Sequence, residues 1–434
     1  MTSNAELRSG RGWLPVAGDA LRAGVSPTLA INERVKAMRA EGRTVLHMGF
    51  GEAPFPVHPR LRDALARHAG ERSYLPVAGL PALREAVSAH QRRLTGLDWS
   101  GHDVLVAPGS KAVLFALQLA VPGDALLPVP SWVSYRPQAE MLGRAVIPVP
   151  ASAGERGLVI EPDALNEAVR AARREGRDPR LLVLNSPSNP TGLTIPDDCL
   201  KGIAAVAERH DLLIVSDEIY ARLTFDGSYP TIARYAPERT VVTTGLSKHL
   251  SLGGWRVGVG LVPRAMAGLF DALTVVASET WSCVAAPIQH AVIEAYGGHS
   301  DVEAFIALQR RIHHDVTGHA ARAFGEMGVD VATPQGGFYL WPDVPRRGRA
   351  HNLATSDQLS HALLEGESIA TLPGTAFGAE PDAMRLRLSA CDYDGADALA
   401  HYEALGSDEP GDIASFAPRM AAALEGFRRF LDAG

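Results

Sequence analysis

Lys248 follows the apolar run Thr240–Thr244, and Arg256 comes eight residues after it. A lysine whose amine is partly desolvated can form a Schiff base with a carbonyl compound. An arginine at this spacing can return to the same site and bind a phosphate through its fork of N–H donors. Taken alone, however, the pair fits a solvated lysine at a strand end and a surface arginine better.

Three further segments place polar residues directly after apolar runs. Asn189 lies in a turn-rich segment after Leu181–Leu184, and Asp217 follows Leu212–Val215. A buried carboxylate needs a partner, for which a pyridinium nitrogen is suitable, although Asp after a strand is also a common helix N-cap. Gly109-Ser110-Lys111 begins a predicted helix whose free amides can bind phosphate. Each segment alone also fits a simple loop or an ordinary helix start.

The elements that position these residues are short apolar runs alternating with amphipathic stretches between about residue 60 and residue 300. Such alternation indicates an α/β fold with a mostly parallel sheet covered by helices on both faces. Ligands bind at the carboxyl ends of strands in open sheets of this kind, so we expect the polar residues to meet there. The runs predicted as strands are Val104–Val106, Ala125–Val129, Leu181–Leu184, Leu212–Val215, Thr240–Thr244 and Val257–Val262.

The chain of 434 residues is too long for one growing hydrophobic core, so two globular parts are expected. We predict an N-terminal extension (1–25), an arm with part of the small domain (26–60), a large domain (61–300) and a C-terminal small α+β domain (301–434). In the small domain the pattern predicts helices at Val302–Phe324 and Ser356–Glu365. It predicts strands there at Gly337–Trp341 and Met384–Ser389.

Composition excludes several classes of function. The formal net charge is −7, and no block of Lys and Arg stands out that would bind nucleic acid or a lipid surface. The three cysteines lack Cys-x-x-Cys spacing, which argues against a disulfide framework or a zinc site, and no metal site is predicted. No apolar stretch approaches the ~20 residues that span a bilayer, and no signal peptide is evident. A cytoplasmic protein with a small-molecule partner is expected.

Together the segments resemble the class I/II aminotransferases of pyridoxal 5'-phosphate (PLP) fold type I, over about Pro27 to Asp392. The family's motifs occur here in the family's order. They are Gly49-Phe50-Gly51-Glu52, Tyr74 before Gly79-Leu80-Pro81-Ala82-Leu83-Arg84, Gly109-Ser110-Lys111, Pro130-Ser131-Trp132, Asn189-Pro190-Thr191-Gly192, Asp217-Glu218-Ile219-Tyr220, Ser247-Lys248 with Arg256, and Arg387-Leu388-Ser389. The resemblance implies PLP as cofactor, a large domain with a mostly parallel sheet, a smaller α+β domain and a homodimer.

The resemblance also implies roles around the cofactor ring. Lys248 holds PLP covalently and, once displaced by the substrate amine, moves the proton at the substrate's α-carbon. Asp217 keeps the pyridine nitrogen protonated, which makes the ring an electron sink. Tyr220 and Asn189 bond the ring oxygen, and Trp132 stacks on the ring face.

The remaining roles concern anionic groups. The residues implied for the phosphate are Gly109, Ser110, the backbone of Lys111, Ser247 and Arg256. Tyr74 is implied to serve the phosphate of the neighbouring subunit. Arg387, with Asn189 and the Gly51 backbone, is implied to hold the substrate's α-carboxylate. Arg385 would share a strand face with Arg387, as a second anion contact or as a surface arginine.

The match departs from the family at several positions. Gly245 stands where many members have Ser, so a phosphate hydroxyl is missing unless Thr243 or Thr244 replaces it. Glu279 and Trp281 lie in a stretch that by resemblance reaches the partner subunit's pocket, which makes them candidate specificity residues.

The leading hypothesis is an aminotransferase that acts on an L-amino acid and a 2-oxo acid. The alternative is another PLP reaction on the same fold, namely elimination, cyclisation, decarboxylation or oxidation of an amino acid. A ligand-sensing regulator is a weaker third hypothesis, because only about 25 residues precede the enzyme-like body and no basic patch accompanies them.

Overall fold

The computed structural model describes residues 24–154, 157–406 and 411–433, so the predicted N-terminal extension lies almost wholly outside the described residues. The helices are α1 (Pro27–Ala40), α2 (Pro59–His68), α3 (Pro81–Thr95), α4 (Ser110–Ala120), α5 (Tyr135–Met141), α6 (Pro162–Arg174), α7 (Asp197–Arg209), α8 (Ala267–Thr280), α9 (Ala286–Ala291), α10 (Ile293–Tyr296), α11 (Ser300–Glu326), α12 (Ser356–Glu367), α13 (Gly395–Leu405), α14 (Ile413–Phe416) and α15 (Pro418–Asp432). The strands are β1 (Leu46–His47), β2 (Val104–Ala107), β3 (Asp124–Val129), β4 (Val146–Gly154), β5 (Gly157–Ile160), β6 (Pro179–Asn185), β7 (Leu213–Asp217), β8 (Thr240–Gly245), β9 (Gly258–Leu261), β10 (Tyr339–Leu340), β11 (Ile369–Ala370), β12 (Leu372–Pro373) and β13 (Leu386–Ser389).

The largest sheet in the described part of the chain has eight strands in the order β2-β9-β8-β7-β6-β3-β4-β5. The strands from β8 to β4 run parallel, whereas β9 is antiparallel to both of its neighbours and β5 is antiparallel to β4. The predicted mostly parallel α/β sheet is therefore confirmed. Strands β4 and β5 were not among the predicted strands; Pro148 and Pro150 within β4 weaken its strand pattern.

The sheet is covered on both faces, as its apolar runs predict. Alternate residues of β6 point to opposite faces and enter two different hydrophobic clusters. Leu182 and Leu184 pack with residues of α6 and α7, while Leu181 and Val183 pack with residues of α4 and α8. Burial of both faces explains why the strands are nearly continuous apolar runs rather than alternating ones.

The smaller sheets lie with the C-terminal helices. β1 pairs in parallel with β11, and β13 lies antiparallel between β10 and β12. Strand β13 is shorter than the predicted Met384–Ser389. Helix α11 packs on both parts of the molecule, because Val302 belongs to a cluster of the large sheet and Phe324 to that of the small domain. The division near residue 300 stays a prediction.

Three neighbouring strands carry the polar residues to one edge of the large sheet. β8, β7 and β6 lie side by side, with Asp217 paired to Asn185 on one side and to Thr243 on the other. The segments with Lys248 and Asn189 begin immediately beyond these strand ends. No helix among the described ranges is long and apolar enough to cross a membrane.

Candidate active site

A cavity of about 440 Å³ lies at this edge of the sheet. Every residue implied to bind the cofactor or the substrate's α-carboxylate lines it, except Tyr74. The lining residues among the predicted ones are Gly51, Gly109, Ser110, Lys111, Trp132, Asn189, Asp217, Tyr220, Ser247, Lys248, Arg256 and Arg387. Among the described residues, Tyr74 is 91% exposed and lies outside this cavity.

The Lys248 amine is held inside the cavity. Its Nζ donates a hydrogen bond of 2.7 Å to the carbonyl oxygen of Gly51 and lies 5.7 Å from the ring centroids of Tyr220 and Phe338. Desolvation of the amine lowers the pKa of Lys248 to about 8. A fraction of the amine is therefore uncharged near neutral pH, as a nucleophile or a base must be.

Asp217 ends β7 and is 3% exposed. Its carboxylate accepts a hydrogen bond of 2.7 Å from the Tyr135 hydroxyl and one of 3.4 Å from the Thr243 hydroxyl. Burial raises the pKa of Asp217 to about 6, against the opposing effect of these hydrogen bonds. The group is thus an anion at neutral pH, at a buried position that suits a protonated ring nitrogen.

Arg387 is 1% exposed and has no ion pair among the described residues. Its Nη2 donates to the Gly49 carbonyl oxygen at 2.5 Å, and its guanidinium carbon lies 4.7 Å from the Tyr339 ring centroid. Burial lowers the pKa of Arg387 from its usual value. A buried guanidinium without a counter-charge can bind a carboxylate through two parallel hydrogen bonds.

Arg385 lies outside the cavity and one residue before β13 begins. Its Nη2 forms an ion pair of 2.9 Å with Asp343. The structure therefore places Arg387, and not Arg385, at the site.

The amino end of α4 forms an anion-binding corner. Gly109 precedes the helix with a positive φ of 92°, and a Cβ there would overlap Nη2 of Arg256. Arg256 is oriented by hydrogen bonds to the carbonyl oxygens of Gly253 (2.8 Å) and Pro108 (3.1 Å). Helix amides, a guanidinium and the Ser247 hydroxyl are the donor set that a phosphate requires.

Packing shows whether Thr243 or Thr244 can replace the phosphate hydroxyl that is missing at Gly245. Thr243 bonds the Asp217 carboxylate and Thr244 bonds the Glu218 carbonyl oxygen, and neither threonine lines the cavity. A Cβ at Gly245 would lie 3.0 Å from the Val257 carbonyl oxygen, which leaves little room for the Ser that many family members have.

Sequence reasoning missed Tyr135, Tyr339 and Asn185, all of which line the cavity. The Tyr339 hydroxyl lies 3.0 Å from that of Tyr220, and Asn185 donates to the Asp217 carbonyl oxygen at 2.8 Å. Asn185 ends a strand and so carried a local signal. The two tyrosines carried none, because their partners lie far away in sequence.

Glu279 and Trp281 do not line the cavity. Glu279 is exposed, and Trp281 packs in part against a cluster that includes residues of α4. Their role in specificity stays a prediction.

The residues fit PLP at three points. The anion-binding corner suits its phosphate, the buried Asp217 suits its ring nitrogen, and the Lys248 amine lies within the same cavity. The Asn189 side-chain oxygen is buried without a hydrogen-bond partner, so this amide is free for a ligand.

Comparison with known proteins agrees with this chemistry. The family model "Aminotransferase class I and II" matches residues 43–402. The aspartate aminotransferase of Geobacillus stearothermophilus is 35% identical over 375 residues, covering 83% of this chain and 91% of that protein. The aspartate aminotransferase of Bacillus sp. (strain YM-2) is 33% identical over 371 residues, with the same coverage.

A solved structure supports the same assignment. Thermus thermophilus aspartate aminotransferase with maleate superposes with a TM-score of 0.83 at 27% identity, covering 96% of this chain and 100% of that one. The chain therefore belongs to the class I and II aminotransferases, the PLP enzymes of fold type I that transfer an amino group between an amino acid and a 2-oxo acid.

Proposed function

We propose that the preferred amino donor carries a carboxylate side chain, as aspartate does, and that Lys111 binds that carboxylate. The observation that carries this proposal is the environment of the Lys111 ammonium. It lines the cavity, lies 5.0 Å from the Trp132 ring centroid and has no ion pair among the described residues. Desolvation, and after it the charge of Arg256, lowers the pKa of Lys111. An anionic group of the substrate would offset both effects.

The other cationic side chains of the cavity already have assigned roles, so the Lys111 side chain remains available for the substrate. The phosphate is assigned to the amino end of α4, Ser247 and Arg256, and the α-carboxylate to Arg387. Relatives in Geobacillus and Bacillus are named aspartate aminotransferases, and the Thermus structure contains maleate, a dicarboxylate. These names support a substrate with two carboxylates.

PLP, when bound, supplies the carbonyl group that accepts the amino group and a ring that withdraws electrons from the substrate's α-carbon. Lys248 is the base at that carbon, because its lowered pKa of about 8 leaves part of the amine neutral. The Gly51 carbonyl oxygen accepts a hydrogen bond from the free amine and so orients it. Asp217 holds a proton on the ring nitrogen by remaining an anion in a buried position.

The other residues bind and orient. Tyr220 and Asn189 would offer a hydroxyl and an amide to the ring oxygen, and Trp132 would supply an aromatic surface for the ring. Arg387 holds the α-carboxylate, which fixes the direction in which the α-proton points toward the base.

The enzyme is proposed to work as a homodimer in the cytoplasm. Within the described part of the chain Tyr74 is almost fully exposed, as expected of a residue that completes the neighbouring site. Cys199, Cys283 and Cys391 form no disulfide within the described residues, which fits a reducing compartment.

The test compares aspartate with alanine as amino donor for Lys111→Gln. A charge-assisted contact contributes about 1.5–3 kcal/mol, so kcat/KM for aspartate should fall roughly ten- to a hundred-fold while that for alanine changes little. Lys201→Gln is the control, because Lys201 is an exposed lysine paired with Asp197. An equal loss for both donors would show that Lys111 serves the cofactor rather than the substrate's side chain.

A further inference from the structure

We propose that His68, Glu71 and His290 bind a divalent transition-metal ion, for which Zn²⁺ is the best match. Within the described part of the chain, these three form the one group of His, Cys, Asp or Glu side chains whose ligand atoms all lie within 4.8 Å of one another. None of them lines the active-site cavity. The site is therefore separate from the proposed aminotransferase chemistry and does not depend on it.

Two packed helices bring the three residues together. His68 is the last residue of α2, Glu71 lies in the turn after it, and His290 lies in the last turn of α9. The Glu71 amide donates to the His68 carbonyl oxygen at 3.0 Å, which fixes the turn. The two imidazole rings are stacked with centroids 5.0 Å apart and planes 19° apart, and Nδ1 of His68 lies 3.8 Å from the Glu71 carboxylate.

Two imidazoles and one carboxylate are a ligand set for Zn²⁺, with a water molecule in the fourth position. Mg²⁺ and Ca²⁺ prefer oxygen ligands and fit this set poorly. Bonds of about 2.0–2.2 Å hold the ligand atoms of a tetrahedral ion roughly 3.4 Å apart. The ligand atoms of the three side chains, which lie within 4.8 Å of one another, therefore need to approach by little more than ~1 Å. Side-chain rotation provides this, because Glu71 is exposed and both histidines are half-exposed.

The surrounding charges leave these ligands free for a cation. The nearby Arg67 and Arg60 both pair with Glu294, at 3.6 and 3.5 Å. Glu71 forms no ion pair with Lys or Arg among the described residues, so its charge is not neutralised by them. The carboxyl end of α2, which carries a partial negative charge, further favours a cation beside His68.

A bound ion would connect two segments close to Tyr74, the residue proposed to complete the partner subunit's site. Glu71 precedes Tyr74 by three residues, and His290 follows Gln289. Gln289 accepts a hydrogen bond of 2.8 Å from the Leu80 amide, so α9 already contacts the C-terminal end of the segment that begins at Glu71. The ion is thus expected to stabilise the Glu71–Leu80 region and to take no part in amino transfer.

The experiment uses holoenzyme purified without a polyhistidine tag and stripped of metal with a chelator. Zn²⁺ is then titrated against a chromophoric chelator, and the stoichiometry is compared with those of His68→Gln and His290→Gln. Each variant should lose one Zn²⁺ per chain or bind it much more weakly. The weakening should exceed the roughly 10–100-fold that results from losing a residue that only hydrogen-bonds to a metal ligand. Zn²⁺ bound at the active site contributes equally to the wild type and the variants, so the difference in stoichiometry reports on this site alone.

Thermal unfolding gives an independent readout. Zn²⁺ should raise the Tm of the wild type and of the control His102→Gln, which removes an exposed histidine elsewhere, but not of the two site variants. Mg²⁺ should raise none of them. Should a histidine variant fail to fold, Glu71→Gln at an exposed turn replaces it. Wild type that binds no Zn²⁺ at micromolar concentration, or variants that bind it as wild type does, would overturn the proposal.

Discussion

The Tyr135 hydroxyl donates a hydrogen bond of 2.7 Å to the Asp217 carboxylate, and both side chains are buried. Burial alone would push Asp217 toward its neutral form, and Tyr135 acts in the opposite direction. A carboxylate that became neutral could not hold a proton on a pyridine nitrogen. Tyr135 is therefore a positioning residue that acts through Asp217.

Tyr135→Phe should raise the pKa of Asp217 further above about 6, because the ionised form loses a hydrogen-bond donor. The loss of about 1–1.5 kcal/mol should lower the ionised fraction of Asp217, and with it kcat/KM, roughly three- to seven-fold at pH 6, where about half of this group is already neutral in the wild type. The loss should shrink by pH 8, where Asp217 is ionised in both enzymes. Tyr402→Phe is the control, because it removes a 2.7 Å Tyr–Asp bond remote from the cavity. A loss that is the same at both pH values would contradict the assigned role.

Apoenzyme should take up PLP faster as the pH rises toward about 8 and should level off above it. The neutral amine of Lys248 is the nucleophile, and its pKa is lowered to about 8, so at pH 7 roughly a tenth of it is reactive. Lys248→Ala should leave no cofactor attached after borohydride reduction. A rate that keeps rising ten-fold per pH unit up to pH 10, or an adduct mapped to another lysine, would refute the assignment.

Arg387→Lys should lower kcat/KM by one to two decades for every amino acid tested while the absorbance of the bound cofactor persists. The reason is that lysine cannot reproduce a bidentate contact worth about 1.5–3 kcal/mol. Arg385→Lys is the matched control, because Arg385 pairs with Asp343 outside the cavity. If Arg385→Lys is the damaging change instead, the α-carboxylate is held at a different place.

Mixed dimers should report whether Tyr74 acts across the subunit interface. Lys248→Ala and Tyr74→Ala chains are each impaired alone, yet a hybrid contains one site with its own Lys248 and its partner's intact Tyr74. After equal amounts of the two variants are dissociated and mixed, about a quarter of wild-type activity should return, because half of the dimers are hybrids and each hybrid has one intact site. No recovery, together with a monomer in sedimentation, would place Tyr74 in its own chain's site or in none.

The family, the cofactor and the central sheet could all be predicted from the residues of the chain alone. Lys248, Asp217 and Asn189 stand directly after apolar runs, and a run that is buried on both faces is recognisable from its residues alone. Because parallel strands end at one edge of a sheet, those three residues were predicted to meet, and they line one cavity. The chemistry of each depends on its type and on a local motif, so the prediction needed no knowledge of distant contacts.

The choice between Arg387 and Arg385 required the tertiary structure. The two would share a face of one continuous strand, but β13 begins at Leu386, and Arg385 before it pairs with Asp343 outside the cavity. The bond between Tyr135 and Asp217 joins residues that are distant along the chain, and packing likewise brings His290 to the neighbouring His68 and Glu71. Such contacts arise when helices and strands pack against one another, and no local pattern encodes the distance between two atoms on separate elements.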